Sequence, residues 1–68
     1  MKETKPHNPI KQLREVAGLT QIEAAERSGI NQGNWSAIER RESLEATEVG
    51  VLRRIAAALG VGVEKLLE

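Results

Sequence analysis

Apolar residues recur at Ile10, Leu13, Val16 and Ala17, in steps of three and four that place them along one side of a helix. Pro9 suits a first helical position and Gly18 stops the pattern, so a helix is predicted over residues 9–17. Thr20 then precedes Gln21, with Glu23 three residues on. This is the capping-box spacing, in which each side chain satisfies the other residue's orphan backbone donor, and it starts a second helix. Ile22, Ala24 and Ala25 form the apolar side of that helix, and Gly29 after Ser28 supplies the left-handed residue that closes it. Asn31 is a suitable N-cap for a third helix, with Trp35 and Ile38 as its apolar positions and Ile30 placed to staple onto Trp35. Residues 40–47 show no period and read as a loop, with Thr47 as the cap of the next helix. Val49, Leu52, Ile55, Ala56 and Leu59 make this fourth helical stripe, which Gly60 ends, and Val63, Leu66 and Leu67 predict a short fifth helix. The reading is five helices with no strand and no internal repeat, preceded by a flexible arm over residues 1–8.

The third element is unusual in its polar half. Asn31 to Ile38 contains no charge, yet it carries amide side chains on one face and Trp35 and Ile38 on the other. A helix of this kind buries one side and offers hydrogen-bonding edges on the other. With the helix and glycine turn before it, the segment has the form of a helix-turn-helix made by helices 2 and 3.

Size and charge limit what such a chain does. Its 68 residues make one small domain, near the lower limit for a self-sufficient core, and leave no room for a catalytic domain. The absence of cysteine excludes disulfides, thiolate metal sites and cysteine nucleophiles. No run has signal-peptide character or approaches the roughly 20 apolar residues that span a bilayer, so a cytoplasmic location is expected. His7, the lone histidine, has no carboxylate cluster near it in sequence, and Gly60-Val61-Gly62 lacks the strand and the Lys-Ser/Thr ending of a phosphate loop. No nucleophile, base and orienting group assemble, so no enzyme, metal or cofactor is expected. Ten basic and ten acidic residues cancel, and every acid is Glu. The total alone gives no reason to expect a polyanionic partner, so the placement of charge matters more.

The chain resembles the Cro and phage-repressor type of helix-turn-helix domain, the xenobiotic response element family, over about residues 10–67. The resemblance rests on Gln21 opening helix 2, Ala25 at a close helix contact, Gly29 at the turn and Ile30 after it. Trp35 and Ile38 inside helix 3, Glu39 ending it, and Leu59-Gly60-Val61 complete the pattern. It implies an all-α, compact five-helix bundle of the phage-repressor DNA-binding type over residues 9–68. Ser28 departs from the pattern, standing where the family usually places an apolar residue, and is expected to be partly solvated. Trp35 stands where a smaller Ile or Val is common and Ala24 where Leu is common, so the indole is expected to fill the volume that Ala24 leaves. Arg41 replaces a glycine that often follows helix 3.

The resemblance implies a sequence-specific regulator of transcription that binds double-stranded DNA, acting as a repressor by promoter occupancy. A homodimer would place one helix 3 (about residues 31–39) in the major groove of each half-site. Amides suit that task because Gln or Asn pairs bidentately with adenine N6 and N7. Gln32 and Asn34 are the leading base readers. Ser36 and Ala37 lie further along the same face, and Gly33 lets the backbone approach. By the resemblance, Gln32, Gly33 and Ala37 match base-contacting positions, and Gln21 a phosphate-contacting one. Asn31 reads first as a cap. The amides that start helices 2 and 3 are expected to hold phosphates, helped by Arg40, Arg41, Lys11, Arg14 and Asn31, with Lys2 and Lys5 reaching further. Taken alone, Gln32 and Asn34 also read as ordinary solvated positions, and the arginines as surface charge. The resemblance further implies an ion pair, Arg14 with Glu39, tying helix 1 to the end of helix 3. Val63, Leu66 and Leu67 serve either a dimer interface or the domain's own core. The competing function is an antitoxin or adaptor module that uses the same fold to hold a protein partner such as a toxin.

Overall fold

The structure, a computed structural model, describes residues 8–67. It contains α1 (Ile10–Val16), α2 (Gln21–Ser28), α3 (Gln32–Glu39), α4 (Val49–Leu59) and α5 (Glu64–Leu67), and no strand among the described residues. α2 packs on both α3 and α4, and α4 also supports α1 and α5. Residues 1–7, including Lys2, Lys5 and His7, lie outside the described residues.

Local chemistry accounts for the boundaries. Thr20 Oγ1 accepts from the Glu23 amide at 3.1 Å while Glu23 Oε1 accepts from the Thr20 amide at 2.9 Å, the reciprocal bonds that the spacing predicted. The Thr20 backbone bond, then its hydroxyl bond, holds the Glu23 carboxyl below its ordinary pKa. α2 ends on Gly29 at φ +73°, where an L side chain would be strained, and the Ile30 amide reaches back to the Ala25 carbonyl. That left-handed residue turns the chain sharply enough to set α3 directly against α2. Asn31 Oδ1 caps α3 by accepting from the amides of Gly33 and Asn34 at 2.7 and 3.3 Å.

Ile10, Ala24, Ala25, Trp35, Ile38, Leu52, Ile55, Ala56, Leu59 and Leu66 form one continuous core. Trp35 is its largest side chain and is completely enclosed, in the same cluster as Ala24. Both residues are thus where the expected exchange of volume between them requires them to be, inside one core. α4 supports α1, α2 and α5 with Leu52, Ile55, Ala56 and Leu59 buried.

Several positions depart from the periodic reading. α1 begins one residue later than expected, with Pro9 as its N-cap, and ends one earlier. Val16 is 80% exposed and Ile22 52%, because each element is only two turns long and its stripe drifts past the edge of the core. Val49 and Leu67 are exposed as the first residue of α4 and the last of α5. Ser28 is buried rather than partly solvated, since its hydroxyl donates to the Ala25 carbonyl at 2.9 Å and accepts from the Ile30 amide at 3.2 Å. Both bonds are local to the turn, so a serine stays satisfied there without water. Thr47 does not cap α4. Glu48 holds that position without a side-chain bond, and the Thr47 hydroxyl accepts from Arg41 instead. Leu44, in a loop without periodicity, is buried and plugs the core from the side. Of the three residues left open between core and interface, Leu66 belongs to the core, Val63 packs partly against it, and Leu67 is exposed.

Candidate functional site

The second helix of the turn motif presents Gln32, Gly33, Asn34 and Ala37 to solvent, while Trp35 and Ile38 are buried on its other side. The exposed amides therefore project from a surface whose reverse is locked into the core. Ser36 is half-buried, and its hydroxyl accepts from Arg40 Nη1 at 3.0 Å, so it borders the face rather than sitting in its middle. Gly33 has a local reason to be glycine. A Cβ there would lie 3.0 Å from Asn31 Oδ1, the atom that caps its own amide.

What orients the face is a carboxylate. Glu39 Oε2 accepts from Arg14 Nε and from the Trp35 indole Nε1, both at 2.6 Å, and its Oε1 accepts from Gln21 Nε2 at 2.9 Å and Arg14 Nη2 at 3.4 Å. Arg14 Nη1 also donates to the Leu19 carbonyl at 2.9 Å. One side chain from the end of α3 thus ties α1, the start of α2 and the buried tryptophan together. The side chains are nearly enclosed, 4% exposed for Glu39 and 12% for Arg14. Burial alone pushes the Glu39 carboxyl up, but the bonds from Arg14, Gln21 and Trp35, with the arginine's charge, outweigh it and hold the carboxyl below its ordinary pKa. The Glu39 hydrogen bond raises the Arg14 pKa in return, so the pair stays ionised. Among the described residues no buried side-chain polar atom lacks a partner.

A second anchor comes from a residue that the sequence pattern assigns to the arm. Asn8 Nδ2 donates to the carbonyls of Ile38 and Arg41 at 2.9 and 2.8 Å, with a longer contact to the Glu39 carbonyl, and Asn8 Oδ1 accepts from the Ile10 amide at 3.2 Å. It satisfies carbonyls left over at the end of α3 from about thirty positions upstream. The Asn8-Pro9 pair, a turn-initiating dipeptide, is the sequence signal for a fixed residue there. The indole bond also has a sequence signal, because Trp35 and Glu39 are four apart on one helix.

The proposed phosphate-contacting residues divide into two groups. Arg40, Arg41, Asn31 and Lys11 are exposed, whereas Arg14 is turned inward by its bonds to Glu39 and Leu19, and Gln21 commits one amide hydrogen to Glu39. The helix-start amides of Glu23, Gly33 and Asn34 are likewise occupied by the caps. Arg41 Nη1 donates to Thr47 Oγ1 at 2.7 Å, which fixes the arginine against the loop after α3. Beside the amide face runs a groove of about 500 Å³. Its walls come from the turn at Gly29 to Asn31, from Asn34, Ala37 and Arg41, and from the 46–48 loop with Val51 and Arg54 of α4.

Comparison with known proteins bears on this arrangement. Residues 10–68 match a family model described as a helix-turn-helix domain. No curated protein matches the sequence. Among solved structures, the chain is similar to SinR, described as the master regulator for biofilm formation, in a crystal structure with DNA. The match has a TM-score of 0.77 and 34% identity, covering 87% of this chain and 92% of that one. It is also similar to a solution structure of the N-terminal DNA-binding domain of SinR from Bacillus subtilis, with a TM-score of 0.73 and 34% identity over 87% and 84% of the two chains.

Proposed function

The chain belongs to the helix-turn-helix domain family, and we propose that it is a sequence-specific double-stranded DNA-binding regulator of transcription that reads the major groove with α3. The observation that carries this reading is the exposed, uncharged amide face of α3, set on a helix whose reverse is anchored by Trp35, Ile38 and Glu39. A major groove about 12 Å wide admits one helix, and an amide side chain, with a donor and an acceptor side by side, matches the N6 and N7 edge of adenine there. Gln32 and Asn34 are then the base readers. Gly33 and Ala37 allow close approach, and Ser36, bridged to Arg40, adds a contact at the margin. Exposed Arg40, Arg41 and Lys11 serve phosphates, as do Asn31 and the remaining amide hydrogen of Gln21. Arg14 acts through Glu39 as an orienting residue. DNA in the SinR crystal structure supports the class of ligand.

A neutral monomer gathers few phosphates, so we expect a homodimer with its two reading helices about 34 Å apart, acting in the cytoplasm as a repressor by occupying a promoter. Selection from a random duplex pool tests this. The expected result is a palindrome whose half-sites contain adenine, with Gln32→Ala relaxing preference at one base pair by about 1–3 kcal/mol. Failure of the folded protein to enrich any sequence would overturn the reading and favour a protein partner, such as a toxin, for the same face.

A further inference from the structure

The groove beside the reading face is not explained by the fold. Arg41 and Arg54 line it from different elements, and Thr47, also in its wall, fixes Arg41 by a 2.7 Å bond that leaves the rest of the guanidinium's donors available. Arg54 is exposed and has no hydrogen-bond or ion-pair partner among the described residues. Glu48 lines the same groove and makes no capping bond with its side chain. Two cations and one carboxylate thus share a concave wall that is continuous with Asn34 and Ala37 of α3.

We infer that this groove seats the sugar–phosphate strand flanking the reading helix, with a phosphate held between Arg41 and Arg54 and opposed by Glu48. This rests on the proposed DNA reading. A helix with its side chains is about 10–12 Å across and so fills a major groove of about 12 Å, which forces the phosphate rims against whatever stands beside it. Beside α3 stands this groove. The two guanidiniums supply forked donors that match phosphate oxygens, and Glu48 subtracts from their attraction without touching any base. The site therefore sets how strongly the chain holds DNA of any sequence, and Glu48 keeps that grip low in a molecule with no net charge.

The test measures binding of the full chain to its selected duplex and to a random duplex across a salt series, for the wild type and for Arg54→Ala, Glu48→Gln and Arg53→Ala. Arg53 is exposed on the same helix but does not line the groove, which makes it the control. Arg54→Ala is expected to weaken binding to both duplexes and to make the log–log salt slope shallower by about one per protomer. Glu48→Gln is expected to tighten both, and Arg53→Ala to change neither. Base preference stays constant throughout, and circular dichroism establishes that each variant is folded. Opposite signs at two exposed positions are not the signature of a folding defect. If Arg54→Ala behaves like Arg53→Ala, or shifts base preference instead of slope, the groove assignment is wrong while the DNA reading stands. If the wild type selects no duplex, both fall.

Discussion

Replacing Glu39 with alanine should do more damage than removing both members of its ion pair. The carboxylate is 4% exposed and accepts from Arg14 twice, from Gln21 and from the buried Trp35 indole. Alanine leaves an arginine that is 12% exposed with only the Leu19 carbonyl as partner, and an enclosed indole N–H with none. Breaking a buried pair from one side typically destabilises by about 3–5 kcal/mol. An unsatisfied buried donor adds about 1–3 kcal/mol, although the two effects overlap because one carboxylate serves both. A domain of this length has a total stability of about 3–10 kcal/mol, so Glu39→Ala should sit close to unfolding at room temperature. Arg14→Met on that background removes the stranded cation and should recover at least about 1 kcal/mol. Urea titrations followed by circular dichroism for the wild type, both single variants and the double variant measure the cycle. Additivity within about 0.5 kcal/mol, or a loss below about 1 kcal/mol for Glu39→Ala, would show that the network does not hold the helices together.

The same geometry sets three other outcomes. Because the folded Glu39 pKa lies below its unfolded value of about 4.3, the unfolded chain takes up the proton first. Its stabilisation is therefore complete above that value and lost as pH falls through the folded pKa, and Glu39→Gln should flatten the acid limb of a thermal stability–pH profile. An unchanged acid limb would assign that loss elsewhere. Asn8→Ala removes the bonds to the Ile38 and Arg41 carbonyls and the Ile10 amide, and should lower stability by about 1–2 kcal/mol in denaturant titration. Trp35→Val should lower it by about 3–5 kcal/mol, through the cavity left next to Ala24 and the lost indole bond; an unchanged melting temperature would end the volume-compensation argument.

Where sequence and structure agree, the cause is local. Thr20-Glu23, Gly29, Asn31 and Gly60 act through bonds or dihedral angles within a few residues, and their helix ends fall where the spacing puts them. Single apolar positions are harder. The two-turn α1 and α2 bury only part of a stripe, so Val16 and Ile22 fit the period and still face solvent, and Val49 and Leu67 do so as the end residues of their helices. Leu44 shows the converse, a core residue with no period to announce it. At the candidate site, the exposed amides and the Arg14–Glu39 pair could be anticipated, the pair through family resemblance. The Trp35 bond to Glu39 is local to α3 and shows in the spacing, whereas the Gln21 bond to Glu39 and the reach of Asn8 across some thirty residues depend on tertiary approach. So does the groove, whose walls are more than twenty positions apart in sequence. Thr47 has the sequence character of a cap and is not one, because the same hydroxyl serves a neighbouring arginine equally well.

The Asn31 cap also governs how α3 could change. Its side-chain carbonyl oxygen stands 3.0 Å from where any side chain at position 33 would begin, so a residue larger than glycine there has to move the cap by a few tenths of an ångström. Positions 32, 34 and 37 are exposed and outside the Glu39 network, free to be rewritten without disturbing the domain. On the proposed DNA reading, a change at those three positions would act on base preference alone, whereas a change at position 33 would act on the start of the helix as well.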